Sequence, residues 1–342
     1  MKTKYSKPVS PEKFKGKGFD AMHAVVEIAK RSALYFKKEK KEKVEECLVC
    51  GSNFNDKILT AFEIEFVQCK NCTHVFQKNQ FSDKSVYKFF ETDKEINCHL
   101  PEDQFQYRCE NINKPKIDEV MQLRVEMGCS NNDGQWLDIG CGAGDLLFQL
   151  NKDYHWNGVG IDISAPGIEM AKNNGINAIL TDLFDYYSST NNQDKITKSY
   201  DIISAMGYFD LVQEPTKHLK VVKRLLKDKG LLMLDHPKFD SFTGDLIKSV
   251  PECAGRYFNA LERSIFTDKS MKYFLETNGF EVLFDWKYGL DIYTFISIIT
   301  LKLPQLAKSN IVEYINSKNN EFQSIIDNSG YNDVNFCIAK LK

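Results

Sequence analysis

Short apolar runs alternate with helix-like stretches from about residue 115 to the end of the chain. The runs are rich in Ile, Leu and Val, and the stretches between them carry apolar residues on one helical face. This alternation predicts βαβ units, and therefore an α/β fold with a mostly parallel sheet. The predicted strands are 135–139, 158–161, 178–180, 200–204, 231–234, 280–284 and 334–339, and the predicted helices are 115–128, 143–151, 165–173, 215–227 and 268–278.

An earlier segment, residues 19–38, shows the pattern of an amphipathic helix. Its apolar positions at helical spacing are Phe19, Met22, Val25, Val26, Ala29, Ala33 and Phe36. Residues 1–43 carry 13 Lys and Arg against 5 Asp and Glu, so this helix is basic. It could contact a membrane surface or a partner protein, but packing on its own protein with a solvated lysine face is the favoured interpretation.

Composition narrows the class of protein. The chain has 342 residues with 42% hydrophobic and 27% charged residues, which is typical of a globular protein with a full core. A net charge of −2 argues against nucleic-acid binding driven by overall charge. No signal peptide is visible, and the apolar run 292–303 is too short to cross a membrane. Ten cysteines in such a chain indicate reduced thiols or metal ligands, and a cytoplasmic location is expected.

The strongest motif lies where the first predicted strand ends, at Asp138-x-Gly140-x-Gly142-x-Gly144. Glycines at this spacing allow a sharp turn and let a ligand approach the backbone closely. The motif lacks the Lys-Ser/Thr of a phosphate loop, and its third glycine comes one residue too early for a dinucleotide fingerprint. An acid before the first glycine would repel a pyrophosphate but suits a ligand with a cationic end.

Four cysteines form a second motif. Cys47 and Cys50, followed by Cys69 and Cys72, give two C-x2-C pairs separated by eighteen residues. Each pair can direct two thiolates at one cation, which predicts a tetrahedral site with zinc as the default metal. Because no ligand position stays open, the zinc would be structural. His74 could replace one thiolate, but it is expected to lie at the surface.

The glycine motif resembles motif I of class I S-adenosylmethionine (SAM) methyltransferases, whose cofactor carries a sulfonium and an ammonium group. The cysteine pairs and the aromatic segment 86–90 narrow the resemblance to sugar C-methyltransferases and related enzymes of surface-polysaccharide or secondary-metabolite pathways. It implies a Rossmann-like domain with a seven-stranded, mostly parallel sheet whose last strand is antiparallel, preceded by a small zinc-binding module. The implied organisation is a basic segment 1–43, a four-cysteine zinc-binding module 44–80, a connector 81–114 and a methyltransferase domain 115–342. Segments 236–266 and 286–332 are insertions expected over the pocket mouth or at an interface.

The resemblance also implies a set of cofactor contacts. Asp162 would bind both ribose hydroxyls, although it could instead cap the next helix in competition with Ser164. Asp182 would contact the adenine amino group. The full set of implied cofactor-binding residues is Asp138, Gly140, Gly142, Gly144, Asp162, Ile163, Thr181, Asp182, Leu183, Ser204, Ala205 and Met206, of which the last three would line the methyl-donor channel.

The catalytic base is less clearly marked. Many relatives carry a Glu-His pair after the fourth strand, and here Leu211 stands where the histidine would be. The remaining candidates are His236, which is preferred, Tyr208 and Asp210. His155 and His218 are expected to be structural. The acceptor contacts that the sequence suggests are Tyr107, Arg108, Arg256, Tyr257 and Arg263.

The leading hypothesis is a SAM-dependent methyltransferase for a small-molecule acceptor, such as a sugar nucleotide, with O-, N- and C-methylation all open. An RNA or protein methyltransferase is the first alternative. The predicted fourth strand, however, lacks the Asn/Asp-Pro-Pro-aromatic loop of amino-group nucleic-acid enzymes, and only residues 1–43 are basic. The second alternative is a non-catalytic scaffold that keeps the fold and the zinc. The sequence leaves the oligomeric state open.

Overall fold

The structure is a computed structural model that describes residues 1–7, 9–10, 20–53, 55–92, 101–191, 198–255 and 257–342. Side chains are described for all of these except 20–24, 157, 190 and 191. Two residues named from the sequence, Phe19 and Arg256, therefore lie outside the described residues.

An eight-stranded sheet forms the centre of the molecule. Its strands are β1 (Lys2–Tyr5), β7 (Gln135–Ile139), β8 (Asn157–Asp162), β9 (Ala178–Leu180), β10 (Tyr200–Met206), β11 (Leu226–Pro237), β13 (Phe280–Tyr288) and β14 (Val334–Leu341), in the spatial order β1-β13-β14-β11-β10-β7-β8-β9. Only β14 runs antiparallel to its neighbours β11 and β13. The predicted α/β fold, mostly parallel with an antiparallel last strand, is confirmed.

The sheet has one strand more than the predicted seven. Strand β1 pairs in parallel with β13, with Lys2 opposite Phe284. Its four residues are all exposed, so no apolar pattern marks it in the sequence. The backbone groups of the β13 edge supply its hydrogen bonds, which explains why pattern analysis did not find it.

Helices cover both faces of the sheet. They are α1 (Asp20–Phe36), α2 (Asp83–Thr92), α3 (Glu102–Tyr107), α4 (Lys114–Glu126), α5 (Asp145–Tyr154), α6 (Ala165–Asn173), α7 (Leu183–Asn191), α8 (Pro215–Leu225), α9 (Phe242–Ser249), α10 (Asp268–Thr277), α11 (Asp291–Lys302), α12 (Asn310–Ser317) and α13 (Asn319–Asn328). A π-helical segment, Arg108–Asn113, joins α3 to α4. Each predicted helix is present with its ends shifted by a few residues. None of the described helices is both long and apolar enough to cross a membrane.

The cysteine-containing region folds onto the large sheet through a shared core. Its own four-stranded sheet consists of β3 (Asn55–Ala61), β4 (Ile64–Cys69), β5 (Val75–Gln77) and β12 (Ser264–Ile265), and a two-stranded ribbon joins β2 (Lys41–Lys43) to β6 (Asn79–Phe81). The buried Cys69 and Cys72 belong to the same apolar cluster as Leu137, Ala205 and Phe209 of the central domain. A substitution of these cysteines would therefore disturb the packing of the core beneath the large sheet.

Helix α1 packs against its own protein, as the favoured interpretation of residues 19–38 predicts. Val26 and Ala29 are buried, and Phe36 is fully buried and stacks on Phe81 with ring centroids 4.5 Å apart. Among the α1 side chains that the structure describes, residues 25–36, Leu34 is the large apolar one that stays exposed. This part of the apolar face is thus used mainly in the fold.

The two long segments pack in different places. Segment 236–266 contributes β12, which pairs with β5, and the Gln77 amide donates to the backbone oxygens of Asn259 and Ala260 at 2.9 and 3.1 Å. It therefore completes the small sheet. Segment 286–332 forms α11 to α13 at the edge of the large sheet. Within the described chain, neither segment lines the cleft at the glycine motif, which differs from the expectation that they lie over the pocket mouth.

Candidate functional site

The glycine motif forms a tight turn between β7 and α5. The N–H groups of Gly140 and Cys141 donate to the Ile161 carbonyl, which holds the turn against β8. Gly142 and Gly144 have φ angles of +52° and +80°, in the region that favours glycine. A Cβ on Gly144 would lie 2.9 Å from Ile176 Cγ1, whereas one on Gly142 would meet nothing within 4 Å. Gly144 thus allows close packing, and Gly142 leaves space open at the carboxyl edge of the sheet.

A cleft of two connected parts opens at this edge, and Gly140, Ser164 and Met206 line both parts. The first part is lined by Asp83, Val86, Tyr87, Phe90, Ile139, Ile161, Asp162, Ile163, Thr181, Asp182, Leu183, Gly207, Tyr208, Leu211 and Val212. The second is lined by Arg108, Asn113, Asp138, Cys141, Gly142, Ala143, Asp145, Leu146, Pro166, Gly167 and Met170. One part is largely apolar and the other is charged, which suits a ligand with a flat ring at one end and charges at the other.

Asp162 shapes the first part of the cleft at the end of β8. Its carboxylate accepts hydrogen bonds from Gly142 N (2.8 Å) and Ser164 N (2.7 Å). The hydroxyl of Ser164 caps α6 by accepting from Gly167 N. Of the two residues that could cap α6, Ser164 is therefore the one that does so. Each Asp162 oxygen keeps accepting capacity for a ligand hydroxyl.

Asp138 lies under the second part of the cleft and is 3% exposed. Ser204 Oγ donates to Asp138 Oδ1 at 2.5 Å, and Trp136 Nε1 donates to the same hydroxyl at 2.8 Å. Burial raises the pKa of Asp138 to about 7. Ser204 and Ala205 are fully buried within β10, so they lie beneath the cleft and not along it as expected; of the three residues 204–206, Met206 reaches its surface.

Asp182, Thr181 and Leu183 lie together at the far end of the first part, after β9. Asp182 Oδ1 accepts from Phe184 N and Asp185 N at 2.8 and 2.9 Å, which caps α7. This bonding fixes the carboxylate at the cleft while its second oxygen stays available to a donor on a ligand.

Two residues from the π-helical segment complete the second part. Arg108 Nε and Asn113 Nδ2 donate to Asp145 Oδ2 at 2.8 and 2.9 Å. Asp145 is the first residue of α5, where a carboxylate also interacts favourably with the helix dipole. Arg108 was expected to contact the acceptor, but the structure places it beside the glycine turn.

Helix α2 forms a wall that sequence reasoning missed. Val86, Tyr87 and Phe90 face the first part of the cleft. An ion pair between Asp83 at the start of α2 and the fully buried Arg263 ties this helix to segment 236–266. In the sequence, the aromatic segment 86–90 contributes only to the family resemblance. Its spacing from the glycine motif does not predict that it lies at the edge of the large sheet.

The three candidate bases occupy different environments. Tyr208 lines the cleft, and its hydroxyl lies 2.6 Å from Nδ1 of His218, a residue that was expected to be merely structural. His236 and Asp210 are 2% and 4% exposed and line neither part. His236 Nδ1 lies 2.9 Å from the Pro237 carbonyl oxygen, and burial raises the pKa of Asp210 to about 6. Both are covered by later residues of segment 236–266. The Asp210 carbonyl oxygen accepts from Arg263 N and Ser264 N at 2.9 and 3.0 Å, and the His236 ring lies 5.6 Å from that of Phe266.

The four cysteine sulfurs come together as the spacing predicts. The Sγ atoms of Cys47, Cys50, Cys69 and Cys72 all lie within 4.8 Å of one another, and none of them forms a disulfide. Such a thiolate set has the donor chemistry of a tetrahedral zinc site. His74 is fully buried, not at the surface as expected, and its Nε2 lies 3.2 Å from Ser264 Oγ.

Comparison with known proteins decides the class of the molecule. A family described as a methyltransferase domain matches residues 110–283, just over half of the chain. The chain belongs to this family. The prediction of a methyltransferase is therefore confirmed, and the matched residues include the glycine turn and both parts of the cleft except α2 and Arg108.

Individual relatives of this methyltransferase are more distant. It is 33% identical over 124 residues to cyclopropane-fatty-acyl-phospholipid synthase of Escherichia coli (strain K12), covering 34% of this chain and 31% of that enzyme. The chain thus spans about a third of the length of that curated relative. A SAM-dependent methyltransferase from Archaeoglobus fulgidus superposes with a TM-score of 0.42 at 19% identity, covering 69% of this chain and 98% of that one. Magnesium protoporphyrin IX methyltransferase from Synechocystis PCC 6803 gives 0.47 at 12% identity, covering 76% and 100%.

Proposed function

We propose that this methyltransferase uses SAM as its methyl donor and acts on a small-molecule acceptor. The observation that carries the proposal is the pairing of the buried Asp138 with a glycine turn that leaves space open at Gly142. When bound, SAM supplies an electrophilic methyl group on a sulfonium with a good leaving group. The protein must then bind both ligands, align them and exclude water.

The residues present fit the groups of SAM. Asp138 and the Arg108–Asp145 pair would hold the charged amino-acid end in the second part of the cleft. Asp162 would accept hydrogen bonds from the two ribose hydroxyls, and Asp182 would accept a hydrogen bond from the adenine amino group. The glycines 140, 142 and 144, together with Ile163, Thr181, Leu183 and Met206, would surround these contacts. Ser204 and Ala205 would act from below, Ser204 by donating to Asp138.

For an acceptor that must lose a proton, we propose Tyr208 as the proton acceptor in preference to His236. Tyr208 faces the cleft, whereas His236 and Asp210 are closed off from it. Burial raises the pKa of Tyr208 well above its usual value and lowers the pKa of His218 to about 4, so the phenol is protonated and donates a hydrogen bond to the neutral His218 ring. As the acceptor oxygen gains the methyl group its own proton becomes strongly acidic, and it can pass to Tyr208 Oη while the phenolic proton moves to His218 Nδ1. His236 and Asp210 would have a structural role.

We propose that Cys47, Cys50, Cys69 and Cys72 hold a structural zinc ion. The four sulfurs provide a closed thiolate set, and three of them are buried in the protein. The role of the metal would be to fix the cysteine-containing region on the central core, with no part in the transfer of the methyl group.

We further propose that the acceptor is a sugar nucleotide or another intermediate of surface-polysaccharide or secondary-metabolite synthesis. The combination of a four-cysteine region, the aromatic segment 86–90 and a methyltransferase domain supports this class. The burial of Val26, Ala29 and Phe36 in the fold argues against a membrane-binding role for α1. We expect the protein to act in the cytoplasm.

A transfer assay tests the proposal. The purified protein would be incubated with isotopically labelled SAM, a panel of sugar nucleotides and metabolite, RNA and protein fractions of a cell extract. We expect label in the small-molecule fraction, and lost transfer with retained SAM affinity for Tyr208→Phe if the acceptor must lose a proton. Label in RNA or protein would favour the first alternative. Absence of measurable SAM affinity by calorimetry would favour the scaffold.

The affinity for SAM should rise with pH. In the free protein the pKa of Asp138 is about 7, and a cation beside it favours the carboxylate. Below that pKa, binding must release the proton, so affinity falls by up to about tenfold per pH unit, and above it affinity is constant. Calorimetry from about pH 5.5 to 8.5 measures this slope. Asp138→Asn should bind weakly with a flat profile, and a flat wild-type profile would contradict the assignment.

A further inference from the structure

Two buried lysines lie near the ring of Tyr288, on the side of the cleft formed by β10, β11 and β13, and one of them contacts Met206. Lys116 is 2% exposed, and its ammonium lies 3.9 Å from Met206 Sδ. Lys7 is 5% exposed and donates to the Ile112 carbonyl oxygen at 2.8 Å. The two ammonium groups lie 5.8 and 5.2 Å from the ring centre of Tyr288. Both charges therefore occupy one small region next to the cleft.

When Lys7 is protonated, this region carries one more positive than negative charge. Lys116 forms an ion pair with Asp235, which also accepts a hydrogen bond from Gly207 N at 2.8 Å. Within the described parts of the chain, no carboxylate lies at ion-pairing distance from Lys7. Burial and the neighbouring Lys116 lower the pKa of Lys7 well below its usual range. Without a counter-charge the buried amine gives up its proton readily, and an anion bound beside it would restore the ammonium form.

Backbone hydrogen bonds on both sides hold Lys7 in this position. After β1 ends at Tyr5, the Ser6 carbonyl accepts from Trp286 Nε1 at 2.9 Å, and Ser10 N donates to Tyr107 Oη at 2.7 Å. Ser6, Lys7, Val9 and Ser10 thus form an N-terminal strap that crosses from β13 to α3. Apolar packing against Trp286 and Tyr288 would need no charge at position 7. The region is accessible to solvent, because the Asp235 side chain is 18% exposed.

We propose that Lys7, together with Lys116, binds an anionic group of the methyl acceptor, either a phosphate or a carboxylate. The anion completes the charge balance of Lys7, Lys116 and Asp235. It also fixes the acceptor on the Met206 side of the cleft. This proposal rests on the proposed donor site, because the anchored acceptor must reach a methyl group held in the same cleft.

Anion binding to the full-length protein saturated with S-adenosylhomocysteine tests the proposal. The probes are inorganic phosphate, pyrophosphate and acetate, each titrated by calorimetry, so that phosphate and carboxylate recognition are separated. Lys7→Met should bind the preferred probe about tenfold more weakly, because a charge-assisted hydrogen bond is lost. Lys7→Arg should retain most of the affinity. Lys2→Met is the matched control, since Lys2 is an exposed lysine of the preceding strand β1, paired with Glu126.

The outcomes separate this proposal from the proposed function. Methionine fits an aromatic site, so we expect Lys7→Met to fold and to bind S-adenosylhomocysteine normally. As a second measurement, pyrophosphate should shift the NMR signal of the Lys7 ε-methylene in the wild type. Unchanged anion affinity in Lys7→Met, or no anion binding by the loaded wild type, would overturn the proposal and leave the donor site intact. Failure of the wild type to bind S-adenosylhomocysteine would overturn both.

Discussion

Replacing Gly142 with valine is expected to abolish SAM binding while the protein remains folded. A Cβ at position 142 meets no other atom within 4 Å, so the new side chain causes no clash in the core. It projects instead into the space that the turn leaves open for a ligand. The backbone strain at φ +52° should lower the free energy of unfolding by about 1–2 kcal/mol. Calorimetry with SAM should show affinity reduced by more than about a hundredfold, as expected when a ligand can no longer contact the backbone.

Gly128→Val provides the matched control for this substitution. Gly128 has a φ angle of +73° and also open space around its Cβ, but it lies after α4, away from the cleft. It should therefore show a similar loss of stability with normal SAM affinity. Unchanged affinity in Gly142→Val would refute the assignment of the glycine turn, and equal loss in both variants would show that strain alone is responsible.

Cys69→Ser should remove the metal and destabilise the entire central domain. Cys69 is fully buried and shares an apolar cluster with Leu137 and Ala205. Losing one thiolate opens the tetrahedral site, and the free energy of metal binding is also free energy of folding. We expect zinc near zero by elemental analysis and a fall in the free energy of unfolding of more than about 4 kcal/mol. Denaturation followed by tryptophan fluorescence measures the second effect.

Cys253→Ser controls for the chemical change itself. Cys253 is 1% exposed and lies outside the cysteine cluster, so this variant also buries a new hydroxyl but leaves all four sulfurs in place. Its zinc content should be that of the wild type and its loss of stability smaller. If Cys69→Ser keeps its zinc, the metal site is wrong. If it loses zinc but unfolds like Cys253→Ser, the metal has no structural role.

The strands of the fold could be predicted best where the apolar pattern is local. Strands β7, β8, β9 and β10 appear at the predicted positions because a short apolar run in the sequence marks each of them. Strand β11 extends well beyond the predicted 231–234, because its later residues pair with β14, from Leu231 opposite Lys340 to Pro237 opposite Val334. That extension depends on a partner about a hundred residues away, which a local pattern does not contain.

The residues of the candidate site, too, could be predicted only where a local pattern marks them. Asp138, Asp162 and Asp182 could be found because each follows a predicted strand, and parallel strands bring their carboxyl ends to one edge. Tyr87 and Arg108 reach the cleft from helices outside the alternating pattern, and no spacing rule links them to it. The sequence predicts a surface position for His74, two residues beyond Cys72. The packing of the small sheet on the large one buries it instead.

The pairing of β1 with β13 has a consequence for how the protein is made. Lys2 lies opposite Phe284, so β1 leaves the ribosome well before the strand with which it pairs. Contacts so distant along the chain form late, because the entropy of closing a long loop opposes them. During synthesis, the sheet from β7 to β10 can assemble first, while Lys7 reaches its place only once β13 is in position. The side of the cleft at which we propose that the acceptor binds is therefore completed only after the glycine turn has formed.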